Sequence, residues 1–400
     1  MIARQKYLEK LKSYKDMQLI KVVTGIRRCG KSTLLKMYRD YLLCSGVDSS
    51  QITFINLEEK ENEQLKQVDN LYSYLKERLV SGKMNYIFID EVQECVNFQV
   101  AVDSLFAKDN VDIYITGSNA HMLSGELATL LSGRYVTIEM LPLSFEEYLE
   151  GVGSDNIEQK FRDYLRFGSF PFILQFGGNE EQIRNYLDAL YNTIFKKDIV
   201  RRNKISNEDS LEMVTKFVFD NIGNLISSKK ISDTLTSNNC KISQPTVDSY
   251  LKALSDSYIV YKASRYDVKG KQYLKSMAKY YVSDMGMRNY LLGYKNTNRG
   301  FVLENIVYLE LIRRGYKVFI GKVDGGEIDF VVFRGSEIIY IQVAESIMDE
   351  DVFEREMKPL KSVKDYNQRV VITTDYDVNE SYDGIKHINI FDFLLGKRTI

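Results

Sequence analysis

Two glycines, a lysine and two hydroxyl residues stand at a spacing suited to holding a polyphosphate: Gly25-Ile26-Arg27-Arg28-Cys29-Gly30-Lys31-Ser32-Thr33. The stretch fits G-x-x-x-x-G-K-[ST]. Gly25 and Gly30 let the backbone wrap close to an anion with its N–H groups turned inward. Lys31 is placed to reach the β- and γ-phosphates, and the Ser32 hydroxyl to bind Mg²⁺. A carboxylate pair, Asp90-Glu91, closes the apolar run Tyr86-Ile87-Phe88-Ile89. Asp90 suits the second Mg²⁺ contact, made through water, and Glu91 suits the group that orients and polarises an attacking water. A third run, Val111 to Thr116, ends in Gly117-Ser118-Asn119. Ser118 or Asn119 there can sense the γ-phosphate by hydrogen bond; an Asn-containing turn with no such role is the other reading. The chemistry these groups point to is binding and hydrolysis of ATP with Mg²⁺.

The elements that must hold these groups are readable around them. The apolar run Leu19-Ile20-Lys21-Val22-Val23 precedes the first motif, and a helical pattern from Thr33 to Tyr38 follows it. That strand, loop and helix order is the setting a phosphate loop needs. Four consecutive apolar residues before Asp90 suit a buried parallel strand, whose C-terminal end is where ligands bind in open α/β sheets. Further strands are expected at 52–57 and 136–140, and helices at 4–15, 71–79 and 121–131. The charged run 58–63 reads as a solvated loop or helix start.

The whole chain narrows the field. With 400 residues it has room for two to three domains. A net charge of −1 means that any nucleic-acid contact must come from a local patch. Four scattered cysteines, with no C-x-x-C, read as a reduced intracellular protein, and two distant histidines argue against zinc. The N-terminus is too charged for a signal peptide, and no apolar run approaches the roughly 18 residues of a membrane helix. The expected location is the cytoplasm, with no membrane partner. Nothing in the sequence accounts for 28 tyrosines beside no tryptophan.

Residues 210–282 read as a winged helix. Two helical stretches lead to Ser243-Gln244-Pro245, with Ser243 as N-cap and Pro245 in the first turn, and a strand pair with Lys269-Gly270-Lys271 at its tip follows. From Ser227 to Val282 there are ten Lys or Arg against four Asp or Glu. That balance favours DNA contact; a lid or protein-docking role fits the same pattern, and both stay open. Residues 196–204 carry five positive charges and one negative, read first as a solvated face.

Taken in order, GIRRCGKS, IFIDEVQ, ITGSN, LLSGRY and LPLSFEEY resemble a family of prokaryotic AAA+-type ATPases that carry a winged helix and a nuclease-like C-terminal domain. The resemblance covers nearly the whole chain. It implies an α/β fold: a P-loop NTPase parallel sheet (residues 1–150), a helical lid or linker (151–209), a winged helix (210–284) and a small restriction-endonuclease-like α/β domain (285–400). It implies a homo-oligomer in which Arg134 reaches a neighbour's nucleotide as an arginine finger, worth about 10³–10⁵ in rate. It implies that Gly168-Ser169-Phe170-Pro171 closes over the nucleotide with Pro171 at the adenine. Arg27 and Arg28 resemble the family without a separate role. In the last domain Glu304, Asp329 and Gln342 match a nuclease metal site, while Ala344 stands where its lysine belongs, so cleavage is not expected. The pair Arg355-Glu356 resembles a family motif of no derivable role. The expected function is an ATPase whose nucleotide state controls the later domains. The alternatives are a nucleotide-gated DNA- or protein-binding regulator that does not hydrolyse, with a protein partner still to be identified, and an ATP-governed nuclease.

Overall fold

Five apolar runs become five parallel strands: β1 (Ile20–Thr24), β2 (Ile52–Asn56), β3 (Asn85–Asp90), β4 (Val111–Gly117) and β5 (Tyr135–Glu139), in the order β2-β3-β4-β1-β5. The computed structural model describes residues 2–120, 131, 133–153, 156–294, 299–324, 326–376 and 378–400. The helix expected over 121–131 lies almost wholly outside the described residues. Strand β4 lies between β1 and β3, so Thr116 pairs with Val23 on one side while Ile89, next to Asp90, pairs with Ile115 on the other. The three candidate motifs therefore leave the sheet at one edge. The chain divides into two compact units, the first comprising Met1–Pro142 with Asp256–Tyr258. Its boundary falls before the expected residue 150.

A helix, α1 (Gln5–Ser13), precedes β1, and both faces of this sheet are covered. On one, Ile87, Ile89, Ile113 and Ile115 pack with Leu71 and Leu75 of α3 (Val68–Glu77) and Val102 and Leu105 of α4 (Phe98–Phe106). The other face carries an aromatic stack, with Phe88 on Tyr114 at 4.9 Å and Tyr38 on Tyr114 at 5.0 Å. Here tyrosine does what phenylalanine cannot. The Tyr38 and Tyr114 hydroxyls bond at 3.0 Å, Tyr114 donates to Asp112 at 2.8 Å, and Asp112 holds the fully buried Lys21 at 2.5 Å. Lys21 is the one charge in an otherwise apolar strand, and this closed network lets it stay there.

The second unit, Leu143–Ser255 and Ile259–Ile400, begins with helices α5 (Phe145–Val152), α6 (Ile157–Phe167) and α7 (Glu180–Thr193), the last running into a π-helical segment, Ile194–Arg201. Lys196 pairs with Glu208 and Arg202 with Asp198, so two charges of the basic stretch are matched within the chain. Three helices follow, α8 (Glu208–Asp220), α9 (Ser228–Ser237) and α10 (Gln244–Asp256), then an antiparallel hairpin of β6 (Val260–Asp267) and β7 (Gln272–Val282). Helices α11 (Met285–Leu292) and α12 (Arg299–Arg313) lead to β8 (Lys317–Val323), β9 (Gly326–Arg334) and β10 (Glu337–Val343). The chain ends with α13 (Glu350–Ser362), β11 (Gln368–Thr373), β12 (Ser381–Tyr382), β13 (Ile385–Asn389) and α14 (Ile390–Leu394).

The expected break between residues 284 and 285 is not a break in this structure. Strand β6 pairs in parallel with β8, so the hairpin and the later strands form one eight-stranded sheet, β12-β13-β11-β10-β9-β8-β6-β7. Near the hairpin tip the Val268 N–H donates to the Lys322 carbonyl at 3.1 Å, and Lys269 pairs with Asp324 at 2.8 Å at the surface. A parallel pairing across two intervening helices leaves no local mark in sequence. Among the described residues no helix is long and apolar enough to cross a membrane.

Candidate nucleotide-binding site

The glycines of the first motif hold backbone that other residues avoid. Gly25 has φ 141° and Gly30 φ 109°. A Cβ on Gly25 would sit 2.0 Å from the Met140 carbonyl oxygen. Ile26 and Cys29 are buried, Arg28 is exposed with φ 68°, and α2 (Lys31–Cys44) starts at the lysine. Lys31 Nζ donates to the carbonyls of Gly25 at 3.1 Å and Ile26 at 3.3 Å, inside the curl of the loop, and lies 3.8 Å from Glu91 Oε1. Ser32 is half-buried and Thr33 exposed, so within the pair Ser32 is the better-placed Mg²⁺ hydroxyl.

Two residues that the sequence reading left aside brace this loop. If the loop's N–H groups face inward, some of its carbonyls must face outward and find donors. The buried Arg4 guanidinium donates to the Cys29 carbonyl at 3.1 Å and to the Leu141 carbonyl at 2.6 Å, from a left-handed backbone at φ 47°. Arg27 pairs with Glu58 at 3.1 Å. Glu58 therefore belongs to the site's frame, while the run that it opens is solvated as expected and starts a 3₁₀ helix, Lys60–Lys66. Neither contact is visible in local spacing.

Asp90 and Glu91 are both buried. The Thr116 hydroxyl donates to Asp90 Oδ1 at 2.6 Å and accepts from the Glu91 N–H at 2.8 Å. Thr116 thus fixes both carboxylate residues, and its place in ITGSN was the one available signal. Glu91 adopts φ 52°, a left-handed turn that a side chain adopts at a cost of roughly 1 kcal/mol or more. The Gln93 amide N–H donates to Glu91 Oε2. Burial pushes the Asp90 carboxyl up, against hydrogen bonds from Ser32 and Thr116 that pull it down. The other Asp90 oxygen, Oδ2, is buried without a hydrogen-bond partner, and so is the Ser118 hydroxyl. Unpartnered buried oxygens of this kind are costly unless something fills the space beside them. A cation at Asp90 Oδ2 and a phosphate oxygen or water at Ser118 fit that need, so the residues present suit Mg²⁺ and ATP. Asn119 is also buried at this edge.

Arg134 has a half-exposed side chain and pairs with Asp103 of α4 at 2.5 Å. Pro171 belongs to the second unit, where it starts a short 3₁₀ turn. That turn is fixed by Asp284, which accepts from the Ser169 N–H at 2.6 Å and the Ser169 hydroxyl at 2.8 Å. Gly168, at φ 88°, leaves room for the Asp284 carboxylate; a Cβ there would come within 2.3 Å of it.

The second unit brings together the residues that resembled a nuclease site. The Asp329 N–H donates to Gln342 Oε1 at 3.2 Å, and Gln342 donates to Glu356 at 2.8 Å. Ala344 packs in an apolar cluster with Met357 and Leu360. A lysine arrives from another strand. Lys279 of β7, buried, lies 2.8 Å from Glu304, 2.7 Å from Glu327 and 3.6 Å from Asp329. Tyr281 donates to Glu304 at 2.6 Å. Burial works against the Lys279 charge, but Glu304, Asp329 and Glu327 outweigh it and hold the ammonium above the usual lysine range. Asp329 is pushed up to about 8 by burial and the Glu304 charge, with Lys279 pulling the other way. An open cavity of about 810 Å³ lies beside Glu327, Asp329, Gln342 and Glu356. Among the described residues no group of three or more His, Cys, Asp or Glu is arranged to hold a metal ion.

Comparisons with known proteins agree with the first unit's geometry. A family model described as an AAA domain matches residues 17–149, and one described as a domain of unknown function matches residues 158–298. Among solved structures, the Walker-type ATPase of Pyrococcus abyssi is similar in fold, with a TM-score of 0.52 at 15% identity, covering 73% of this chain and 96% of that one. An uncharacterised protein of Methanocaldococcus jannaschii is 32% identical over 366 residues, 86% of this chain and 79% of its own length. An uncharacterised protein of Haemophilus influenzae is 40% identical over 400 residues, 99% of each chain. The chain belongs to the family of these two proteins and carries an AAA domain in its N-terminal unit.

Proposed function

We propose that this protein is a Mg²⁺-dependent ATPase. The observation that carries the reading is the meeting, at one sheet edge, of a lysine-bearing phosphate loop with Asp90 and Ser118, each holding a buried oxygen without a partner. Ser32 and Asp90 would hold Mg²⁺, which supplies charge neutralisation on the phosphates when bound. Lys31 leaves the Gly25 and Ile26 carbonyls for the phosphate oxygens. Glu91 orients the attacking water and draws on its proton as the water oxygen bonds to the γ-phosphorus and the bond to the β-phosphate oxygen breaks, giving ADP and phosphate. The Ser118 hydroxyl and Asn119 read the γ-phosphate, and main-chain N–H groups of residues 25–33 surround the anion.

Arg134 acts on a second copy's nucleotide in this reading. Its half-exposed position supports that role, and the pair with Asp103 is the resting partner it must leave. Such exposed pairs are worth only about 0–1 kcal/mol, so the release is cheap. The three helices α8 to α10 and the hairpin that follows have the order of a winged helix, and their basic balance supports DNA contact through the exposed residues Gln244, Ser249 and Lys252 of α10. Pro171 at the adenine remains part of the proposal through the family resemblance alone. Lys279, lodged among the carboxylates of the C-terminal sheet, favours a structural rather than a hydrolytic role for that group.

The test is phosphate release by the purified protein over a dilution series, with and without double-stranded DNA. We expect specific activity to rise with protein concentration and to rise further with DNA. A rate that is flat against both removes the shared arginine and the DNA contact, and favours a nucleotide-gated protein binder.

A further inference from the structure

A buried polar atom at the nucleotide edge has no role once Mg²⁺ and the phosphates have been assigned. It is Gln93 Oε1, buried and without a hydrogen-bond partner. The same amide donates through Nε2 to Glu91 Oε2, so the unused acceptor lies one amide width from the carboxylate that is to activate water. Glu91 itself is held rigidly, with its backbone at φ 52° and its N–H on Thr116. Its other carboxylate oxygen, Oε1, faces Lys31 at 3.8 Å. On the ATPase reading Lys31 turns to the phosphates, and Gln93 is then a contact that still fixes the carboxylate.

A water attacking phosphorus has two hydrogens and needs an acceptor for each if its lone pair is to point along the reaction line. Glu91 can take one. We propose that Gln93 is a second water-orienting residue of this site: its N–H fixes the Glu91 carboxylate, and its Oε1 accepts the other hydrogen of the attacking water. A carboxamide serves this purpose well, since it presents a donor and an acceptor side by side and carries no charge to repel the γ-phosphate. The same division of labour, with a glutamine orienting water, occurs in GTP hydrolysis.

The inference rests on the ATPase reading, and the test separates the two. Wild type, Gln93→Ala, Gln93→Glu and Glu91→Gln are compared for steady-state phosphate release, ADP affinity and melting temperature. Alanine removes both hydrogen bonds, and glutamate sets an acceptor against Glu91. We expect both Gln93 variants to lose about 10²-fold in kcat, with ADP affinity within about threefold of wild type and melting unchanged. Turnover within about threefold of wild type in both Gln93 variants, while Glu91→Gln abolishes it, overturns the Gln93 role alone. So does a kcat loss matched by an equal loss of ADP affinity, which signals a disturbed pocket. No turnover by a wild type that binds ADP, or full turnover by Glu91→Gln, removes the ATPase reading and this inference with it.

Discussion

Glu91→Gln is expected to bind ATP as tightly as wild type, or more tightly, while phosphate release falls by about 10²–10⁴-fold. The amide keeps the size of the side chain and can still hydrogen bond to a water. It loses the charge that draws a proton from that water, and the pull is needed only as the transition state forms. The frame around the position does not depend on the carboxylate, because Thr116 holds the Glu91 main chain through its N–H. Nucleotide contacts come from the loop and Lys31, which the substitution leaves in place. Retained binding with lost turnover is thus the signature of Glu91 in the chemical step. It also discriminates between hydrolysing and non-hydrolysing readings: a protein whose output needs only bound ATP keeps that output in this variant, and one that must cycle loses it.

Lys279→Met is expected to cost the second unit about 3–5 kcal/mol of unfolding free energy, measured by guanidinium denaturation. Methionine fills the same volume without charge. It leaves Glu304, Glu327 and Asp329 around an apolar group, and removing one partner of a buried ion cluster costs that much because the remaining charges stay behind. The loss depends on pH in a stated direction. Asp329 titrates near 8 in the folded chain and near 3.9 when unfolded, so the folded state keeps a proton that the unfolded chain has released. Its contribution is full below about pH 4 and fades as pH rises through 8. Without Lys279 to oppose it, that proton is held to still higher pH, and the carboxylates are most costly when all are ionised. The defect of Lys279→Met should therefore be larger at pH 9 than at pH 6. Adding Glu304→Gln, which removes one of the stranded charges, should recover part of the loss at pH 9. A defect below about 1 kcal/mol at both values would show that the cluster is not what joins β7 to α12 and β9.

The frame of the candidate site was legible because its pattern is written in short stretches. Spacing from Gly25 to Ser32, and an apolar run ending in Asp90-Glu91, fix local backbone, and parallel strands with β4 between β1 and β3 bring their ends together. What the spacing could not carry is the bracing. Arg4 meets Cys29 and Leu141, and Glu58 meets Arg27, only after the chain has closed on itself. Gln93 stood in a quoted motif without a role, since a glutamine two residues past a glutamate implies nothing until the left-handed turn at Glu91 folds one toward the other.

The second unit was read well element by element and less well as a whole. Helices near 211–222 and 301–312 and the strands that follow are present, but the hairpin read as the strand pair of a winged helix is built into the main sheet through β6 and β8. The same pairing explains the lysine. A strand-local pattern puts the cation at Ala344, two residues past Gln342, whereas the sheet supplies Lys279 from its edge strand. Only long-range register decides between them, and register between distant strands has no local signature.

The measurement closest to the central claim is Mg²⁺-dependent phosphate release by the wild-type chain, run beside Lys31→Ala and Glu91→Gln with ATP binding followed in parallel. We predict turnover only in the wild type, binding in wild type and Glu91→Gln, and neither in Lys31→Ala. Phosphate release that survives in both variants, or a wild type that binds ATP and never releases phosphate, would contradict the assignment of hydrolysis to this site.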